Sequence, residues 1–493
     1  MNHSTIPFNN SYARLPERMF SHQLPEQATA PELIQANRAL AESLGIDADW
    51  LGSSDGIATI AGNLIPDGAE PIATAYAGHQ FGSWNPQLGD GRAVLLGEVL
   101  DKQGQRYDLQ LKGSGRTPYS RGGDGRAPLG PVLREYILSE AMAVLGVPTT
   151  RALAAVTTGD SVYREERLPG AVLARVAQSH IRVGTFQYFA SRNDLDALQD
   201  LSQHVINRHF PLAAKAENPI LALLQSVITA QATLIARWQL IGFIHGVMNT
   251  DNMLLCGETV DYGPCAFMDE FNADSVFSSI DQAGRYSYRS QPAIAHWNLA
   301  CFAQTLIPLL HADEEQAVAM AQQAVDAYAG QFLAAHERGM GEKLGLQLDG
   351  EEDEALVQEL LRLMTETSSD FTLVFRRLAD LACPDSDQAP VSDLFEFTPA
   401  WDSWLEQWLA RSLRDPRPAI ERQNLMYRVS PVFIPRNHLV EAAIIAATRE
   451  NDFSVFQQLL DVLSDPFSYR PAQAAYATPP RPEQVVRQTF CGT

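Results

Sequence analysis

The stretch His245-Gly246-Val247-Met248-Asn249-Thr250-Asp251-Asn252-Met253-Leu254-Leu255, followed by Asp261-Tyr262-Gly263, decides how the rest of the chain is read. A protein kinase carries a metal-binding Asn on a loop that reads His-Arg-Asp, four residues, Asn, and a metal-binding Asp on the hairpin beyond it. Counted from His245, the loop Asn falls on Asn252 and the hairpin Asp on Asp261. The proton-accepting Asp of a kinase falls on Val247, and a valine cannot accept a proton. Asp251, beside Asn252, is free to act as a base. Metal-binding parts without the usual base point away from ordinary phosphorylation. Asp-Asn and Asp-Tyr-Gly also suit plain solvated turns. The spacing, and the amphipathic stretch Leu221 to Leu240 that runs into His245, favour the functional reading.

Magnesium prefers hard oxygen ligands and takes few from the protein, completing its shell with phosphate and water. One amide (Asn252) and one carboxylate (Asp261) suit that need, and an Asp261→Ala variant is expected to lose transfer with its fold intact. A kinase-like small lobe also uses a strand lysine that binds phosphate and pairs with a helix glutamate. Lys112 is the lysine, since Tyr107, Leu109 and Leu111 alternate with Asp108, Gln110 and Lys112. Glu135 and Glu140 are the candidate partners. Helical arithmetic puts Glu140 in the apolar stripe, where a carboxylate needs a partner. Nearness to the helix start favours Glu135, the reading adopted.

Lys112 to Arg126 holds Lys112, Arg116, Arg121 and Arg126 against Asp124 alone, interleaved with Gly113, Gly115, Gly122, Gly123 and Gly125. Glycine lets backbone N–H groups approach an anion and arginine forks match phosphate oxygens. Gly89-Asp90-Gly91-Arg92 enters the preceding hairpin in the same style, and Arg175 and Arg182 add positive charge downstream. These residues predict a phosphate site. One aromatic (Tyr119) and no repeated basic stripe argue against nucleic acid. His79 reads as a satisfied turn residue, and no Gly-x-Ser-x-Gly elbow is present.

The 493 residues suffice for two to four structural units, and a formal charge of −22 disfavours nucleic acid and anionic membranes. Five cysteines without metal-ligand spacing fit a reducing compartment better than a disulfide framework. The first residues carry no apolar leader, and no uninterrupted apolar run approaches the ~20 residues of a membrane span, so the expected address is cytoplasmic.

Periodicity predicts a helix over Ala30 to Leu44 and a hairpin over residues 93–112. It predicts a helix opening at Pro131 and two strand-turn-strand stretches over 150–176. From Leu195 the chain reads as helical, broken by a short hairpin at 253–269. Helices are expected over 293–310, 314–340, 352–380, 437–449 and 453–464, with a break near Pro384–Pro390. A proline-rich tail follows from Ser468.

Tyr76-Ala-Gly-His-Gln-Phe-Gly, Leu88-Gly-Asp-Gly-Arg-Ala, Leu111-Lys-Gly-Ser-Gly-Arg-Thr-Pro-Tyr-Ser-Arg, Asp124-Gly-Arg-Ala and Leu133-Arg-Glu-Tyr, with the two central motifs, Gly284-Arg-Tyr and Ile434-Pro-Arg-Asn-His, together resemble the selenoprotein O family from about residue 10 onward. The resemblance implies an α+β, protein-kinase-like bilobal fold. Its parts would be an N-terminal extension (1–75), a β-rich N-lobe with the nucleotide loops (76–185), a helical C-lobe with the metal loop (186–335), and a C-terminal helical extension and tail (336–493). It implies transfer of AMP from ATP, bound flipped relative to kinases, to Ser, Thr or Tyr hydroxyls of proteins, redox-related proteins among them. The nucleotide would meet Gly89, Gly91, Arg92, Lys112, Asp124, Gly125, Arg175, Arg182 and Asp261. Asn252 and Asp261 would hold Mg2+ or Mn2+. Asp251, Lys112 and Glu135 would be the catalytic set. An atypical kinase and an inert nucleotide-binding scaffold are the alternatives. Family members can carry cysteine or selenocysteine near the C-terminus, as Cys491 stands here. The segment Asp269–Arg285 offers no cysteine to pair with it.

Overall fold

The computed structural model describes residues 6–383 and 390–490. Its centre is the hairpin Ala93–Leu100 and Arg106–Lys112, with Val94 opposite Leu111 and Leu100 opposite Arg106. Asp101 closes the turn by accepting from the backbone N–H groups of Gln103 and Gln105 at 2.9 and 2.8 Å. The hairpin lies in an antiparallel sheet ordered Phe20–His22, Ile72–Thr74, Ala93–Leu100, Arg106–Lys112, Arg167–Ala177, Arg151–Tyr163, Glu32–Ala36, and the short strand Ala127–Pro128 pairs with Arg167–Ala177.

Side chains alternate across a strand, so this sheet has two chemically distinct faces. Leu109, Leu111, Val172, Ala174 and Val176 pack against Leu40, Leu44, Leu51 and Ile60 of the N-terminal segment. The opposite face carries Asp108, Gln110 and Arg175, all buried, and the half-buried Lys112. The polar side of the Lys112 strand is thus an ionic interior rather than a solvated face. Helix Leu129–Val144 covers the far part of this face. Its Leu133, Tyr136, Ile137 and Ala141 pack on Ala171 and Leu173, and on Val440, Ala443 and Phe456 of the helices Asn437–Glu450 and Ser454–Leu463. Each such fully buried side chain stabilises by about 1.5–3 kcal/mol.

The helical remainder is built around Pro219–Leu240, Gln291–Leu310 and Glu314–Leu344. Asn218 caps the first by accepting from Leu221 N at 3.0 Å, with Pro219 in the first turn. Two stretches, Pro219–Leu240 and Tyr288–Leu310, are long and apolar enough to cross a membrane, which the expectation from the sequence missed. Leu223, Val227, Leu299, Phe302 and Leu306 of these helices share one apolar cluster with Ala321 and Tyr328 of Glu314–Leu344.

Four expectations need correction. The helix over Ala30–Leu44 is a strand, Glu32–Ala36, followed by a short helix, Arg38–Ser43. Pairing with Arg151–Tyr163 captures the first half, and Asn37 starts a helix after it by accepting from Leu40 N. The two strand-turn-strand stretches are one long hairpin, Arg151–Tyr163 with Arg167–Ala177, because its register shift near Pro169/Ala171 absorbs the apparent breakers at Gly159 and Gly170. The hairpin at 253–269 is replaced by Phe243–Ile244 pairing with Ala266–Phe267, so one ladder ties both ends of the central loop. The segment 352–380 is two helices, Glu351–Glu366 and Phe371–Ala382, separated where Ser368 takes φ 47° and Asp370 caps the second through Leu373 N. Asp402–Ser412 and Ala419–Val429 are further helices, the first anchored by buried Trp404 and Trp408 and the second by Met426 and Tyr427. The break near Pro384–Pro390 falls mostly outside the described residues, as does Cys491. The tail ends against the body, where Thr489 N donates to Phe277 O at 2.7 Å and Ser279 N to Thr489 O at 3.1 Å.

Candidate active site

His245 is held as a structural post. Its Nε2–H donates to Val260 O at 2.8 Å and its Nδ1 accepts from Val247 N at 3.3 Å, which fixes one neutral tautomer. The ring stacks on Trp238, and burial lowers its pKa. One imidazole therefore ties the two arms of the loop together. Between them Thr250–Asn252 forms a single 3-10 turn. Asn252 Nδ2 donates to Val247 O at 3.0 Å, which leaves its Oδ1 for another partner. Val247 itself lines the cleft, so the residue standing at the kinase base position is in place and chemically inert.

Lys112 Nζ lies 2.6 Å from Glu135 Oε2 and 2.6 Å from Asp261 Oδ1. Arg175 reaches Glu135 at 3.1 Å, Asp261 at 2.7 Å and Gln110 at 2.6 Å. Arg182 reaches Asp261 Oδ2 at 3.0 Å and Asp251 O at 2.6 Å, and lies over the Tyr76 ring. Burial alone would raise the pKa of Asp261, but Lys112, Arg175 and Arg182 outweigh it and hold the carboxyl well below the usual range. Burial likewise opposes ionisation of Glu135, and Lys112 and Arg175 again prevail. The choice between the two helix glutamates is settled by contact. Glu135 meets Lys112, while Glu140 binds Arg151 at 2.7 and 2.9 Å and Asn37 at 2.7 Å.

These groups face a cleft of about 550 Å³. Gly89, Gly91, Arg92, Lys112, Asp124, Gly125, Arg175, Arg182, Asp251, Asn252 and Asp261 all line it. Glu135 lies in an adjoining recess of about 30 Å³ with Lys112, Arg92, Asn252 and Asp261. The cleft size suits a small-molecule ligand. Three of the glycines answer to packing inside the protein. A Cβ on Gly89 would stand 2.3 Å from the Tyr119 ring, one on Gly91 2.8 Å from Tyr119 O, and one on Gly125 2.0 Å from Gly115 O. Gly122 has open space instead. Asp124 is also engaged by Arg164 at 2.8 and 3.0 Å, and Arg175, like Lys112 and Arg182, has protein partners of its own.

Asp251 sits at the cleft floor and is buried. Its Oδ2 accepts from Gln80 Nε2 at 3.1 Å, and its Oδ1 has no hydrogen-bond partner among the described residues. Burial raises its pKa to about 6, against the pull of Arg182 and Gln80. His79 is the satisfied residue expected, with Nδ1 accepting from Gln187 at 2.9 Å and its ring against Trp84 and Trp297. Sequence reasoning missed its neighbour Gln80, along with Tyr76, Gln110 and Asp90. Asp90 accepts from Thr74 N and Oγ1 at 2.9 and 2.6 Å and lies 4.0 Å from Arg182. Alternation along Asp108-Leu109-Gln110 was a usable signal for Gln110.

A divalent cation suits this donor set. Asp261 is ionised, Asn252 keeps a free amide oxygen, and among the described residues no cluster of three or more His, Cys, Asp or Glu offers a softer or more crowded cage. The cation would share Asp261 with the three basic side chains.

A family model described as protein adenylyltransferase SelO matches residues 2–464. The chain belongs to the SelO family. SelO-family relatives similar to it include proteins named protein nucleotidyltransferase YdiU. The one from Rhizobium johnstonii is 56% identical over 490 residues, covering 99% of this chain and 98% of the relative. Those from Bradyrhizobium sp. strain BTAi1 and Rhizobium meliloti strain 1021 are 56% and 57% identical, covering 99% of both chains in each case.

Proposed function

We propose that this chain is a protein adenylyltransferase, moving AMP from ATP to a Ser, Thr or Tyr hydroxyl of another protein. The observation that carries the reading is the pairing of Val247 with Asp251. The position of the kinase base is apolar, while a buried carboxylate with an unfilled oxygen stands four residues on, beside Asn252. Membership of a family described as protein adenylyltransferase supports the same conclusion. On this reading the antiparallel sheet with helix Leu129–Val144 acts as the N-lobe of a kinase-like bilobal arrangement. The helices from Val183 onward form the C-lobe and its extension.

The acceptor hydroxyl oxygen attacks the α-phosphorus of ATP. Its proton passes to Asp251, the bond from the α-phosphorus to the bridging oxygen breaks, and pyrophosphate leaves with the electron pair. Lys112 and Arg182, with the arginines of the glycine-rich loop, offset the charge of the departing pyrophosphate. Glu135 and Arg175 hold Lys112 and Asp261 in place. Asn252 and Asp261 would hold Mg2+ or Mn2+, which when bound supplies charge neutralisation on the phosphates. ATP lying reversed relative to a kinase substrate brings its α-phosphorus to the acceptor.

Incubation with ATP labelled at the α- or the γ-phosphate tests this. Protein-bound label from α alone is expected. Label from γ alone assigns kinase action, and ATP binding without either label assigns a scaffold.

A further inference from the structure

The segment Ala77–Phe81 lies far from Asp251 in sequence and against it in space. Its backbone N–H groups point alternately. Those of Ala77, His79 and Phe81 donate to Gly184 O at 2.9 Å, Thr250 Oγ1 at 2.7 Å and Asn249 Oδ1 at 3.0 Å. Gly78 and Gln80 instead pair with Asn85 and Ser83 of the strand beside them. One edge of a short strand is thereby stitched to the loop that carries Asp251. Phe81 takes φ 51°, a left-handed conformation that a bulky residue rarely adopts, and it is held there by Asn249 and by Tyr286 Oη at 3.2 Å. Tyr286 Oη in turn donates to Asn249 Oδ1 at 2.7 Å.

Two side-chain facts complete the arrangement. A Cβ on Gly78 would stand 2.6 Å from Asp251 Oδ1, so only glycine leaves that oxygen its seat. Gln80 Nε2 holds the other oxygen at 3.1 Å. With one oxygen seated and the other tied, the carboxylate plane cannot turn.

We propose that Gln80 is a positioning residue for Asp251, fixing the carboxylate in the orientation that takes the acceptor's proton, with Gly78 supplying the space this orientation needs. The proposal rests on the reading of Asp251 as proton acceptor. Gln80 lines the same cleft, and its part in the transfer runs through its hydrogen bond to Asp251. A glutamine is suited to this because it donates one directed hydrogen bond without adding charge to a site already dense with charge.

The test compares Gln80→Leu and Gln80→Glu with the parent chain, measuring single-turnover transfer from α-labelled ATP, ATP affinity and thermal melting. Gln80→Leu removes the donor at nearly constant volume, and Gln80→Glu replaces the neutral donor with a second carboxyl that competes with Asp251 for the proton. The expected result is a fall of about 10-fold or more in kcat, from loss of an oriented base. In Gln80→Leu, ATP affinity is expected to stay within about 2-fold and melting to be unchanged, since the amide carries no charge to pair with phosphate. Gly78→Ala is expected to lower kcat in the same way by displacing the carboxylate. Unchanged kcat in both Gln80 variants overturns the proposal. So does a fall in kcat accompanied by weaker ATP binding and lower melting, which assigns Gln80 a purely structural role. Asp251→Asn separates the two levels. If it transfers AMP as the parent does, the proton-acceptor reading fails. If it is inactive while Gln80→Leu is fully active, only the positioning role fails.

Discussion

Asp261→Ala is expected to lose stability as well as activity, which corrects the intact fold expected from the sequence, and the ion pairs set the size of the effect. Arg175 and Arg182 are 2% and 3% exposed, and both direct a guanidinium nitrogen at Asp261, at 2.7 and 3.0 Å. Lys112 lies at 2.6 Å. Removing the carboxylate leaves Glu135 to balance Lys112 and Arg175, and leaves Arg182 with Asp90 at 4.0 Å. Breaking a fully buried pair by deleting one partner costs about 3–5 kcal/mol. Asp261 is 23% exposed and faces an open cleft, where water relieves part of that cost, so about 2–3 kcal/mol is expected. In thermal melts of a 493-residue chain this should appear as a melting point lower by about 2–3 °C. ATP supplied with a chelator brings anionic oxygens to the same three cations, so it should raise the melting point of the variant more than that of the parent. An Asp261→Ala protein that melts within about 1 °C of the parent, with equal response to ATP, would show that the three cations do not depend on this carboxylate.

Two further outcomes follow from contacts elsewhere. Glu135→Gln should weaken ATP-dependent labelling about 10-fold or more by loosening Lys112, whereas Glu140→Gln, which loosens Arg151, Asn37 and the backbone of Ala152, should leave labelling within about 2-fold and show itself as a modest loss of melting temperature. Lys343 is buried, with Val429 O at 3.4 Å and the Phe375 ring at 4.4 Å, and burial pulls its pKa down to about 7. The unfolded chain holds that proton up to about pH 10.4. Between these values the unfolded state binds more protons, so stability rises with pH from about 7 to about 10. Lys343→Met should abolish that rise and stabilise the protein at pH 7 by about 1–3 kcal/mol, measured by denaturant melts at several pH values.

The site was legible in the sequence to an unusual degree because its residues come in short spaced motifs. His245, Val247, Asp251, Asn252, Asp261 and Lys112 are fixed by local counting, and all but His245, which braces the loop from behind, line one cleft. What local counting could not see was decided by long-range contact. The Ala30–Leu44 stripe has a helical period, yet a strand more than a hundred residues away claims Glu32–Ala36. Glu135 and Glu140 differ only in what the folded chain brings to each, Lys112 to one and Arg151 to the other. Gln80 meets a carboxylate 171 positions on, and nothing beside it in the chain marks that destination. Arg175 and Asp124 were recognised as members of the site, but their protein partners, Glu135, Asp261 and Gln110 for one and Arg164 for the other, were not.

Leu129–Val144 leans on two helices that the ribosome makes late, Asn437–Glu450 and Ser454–Leu463, with the Tyr136 and Phe456 rings 5.6 Å apart. A nascent chain that has reached Val429 already holds every cleft residue but lacks the buttress behind Glu135. The charged cluster is therefore expected to gain its backing only once residue 463 has been made, and a product truncated before Asn437 carries the whole set of motifs without the wall that keeps them aligned.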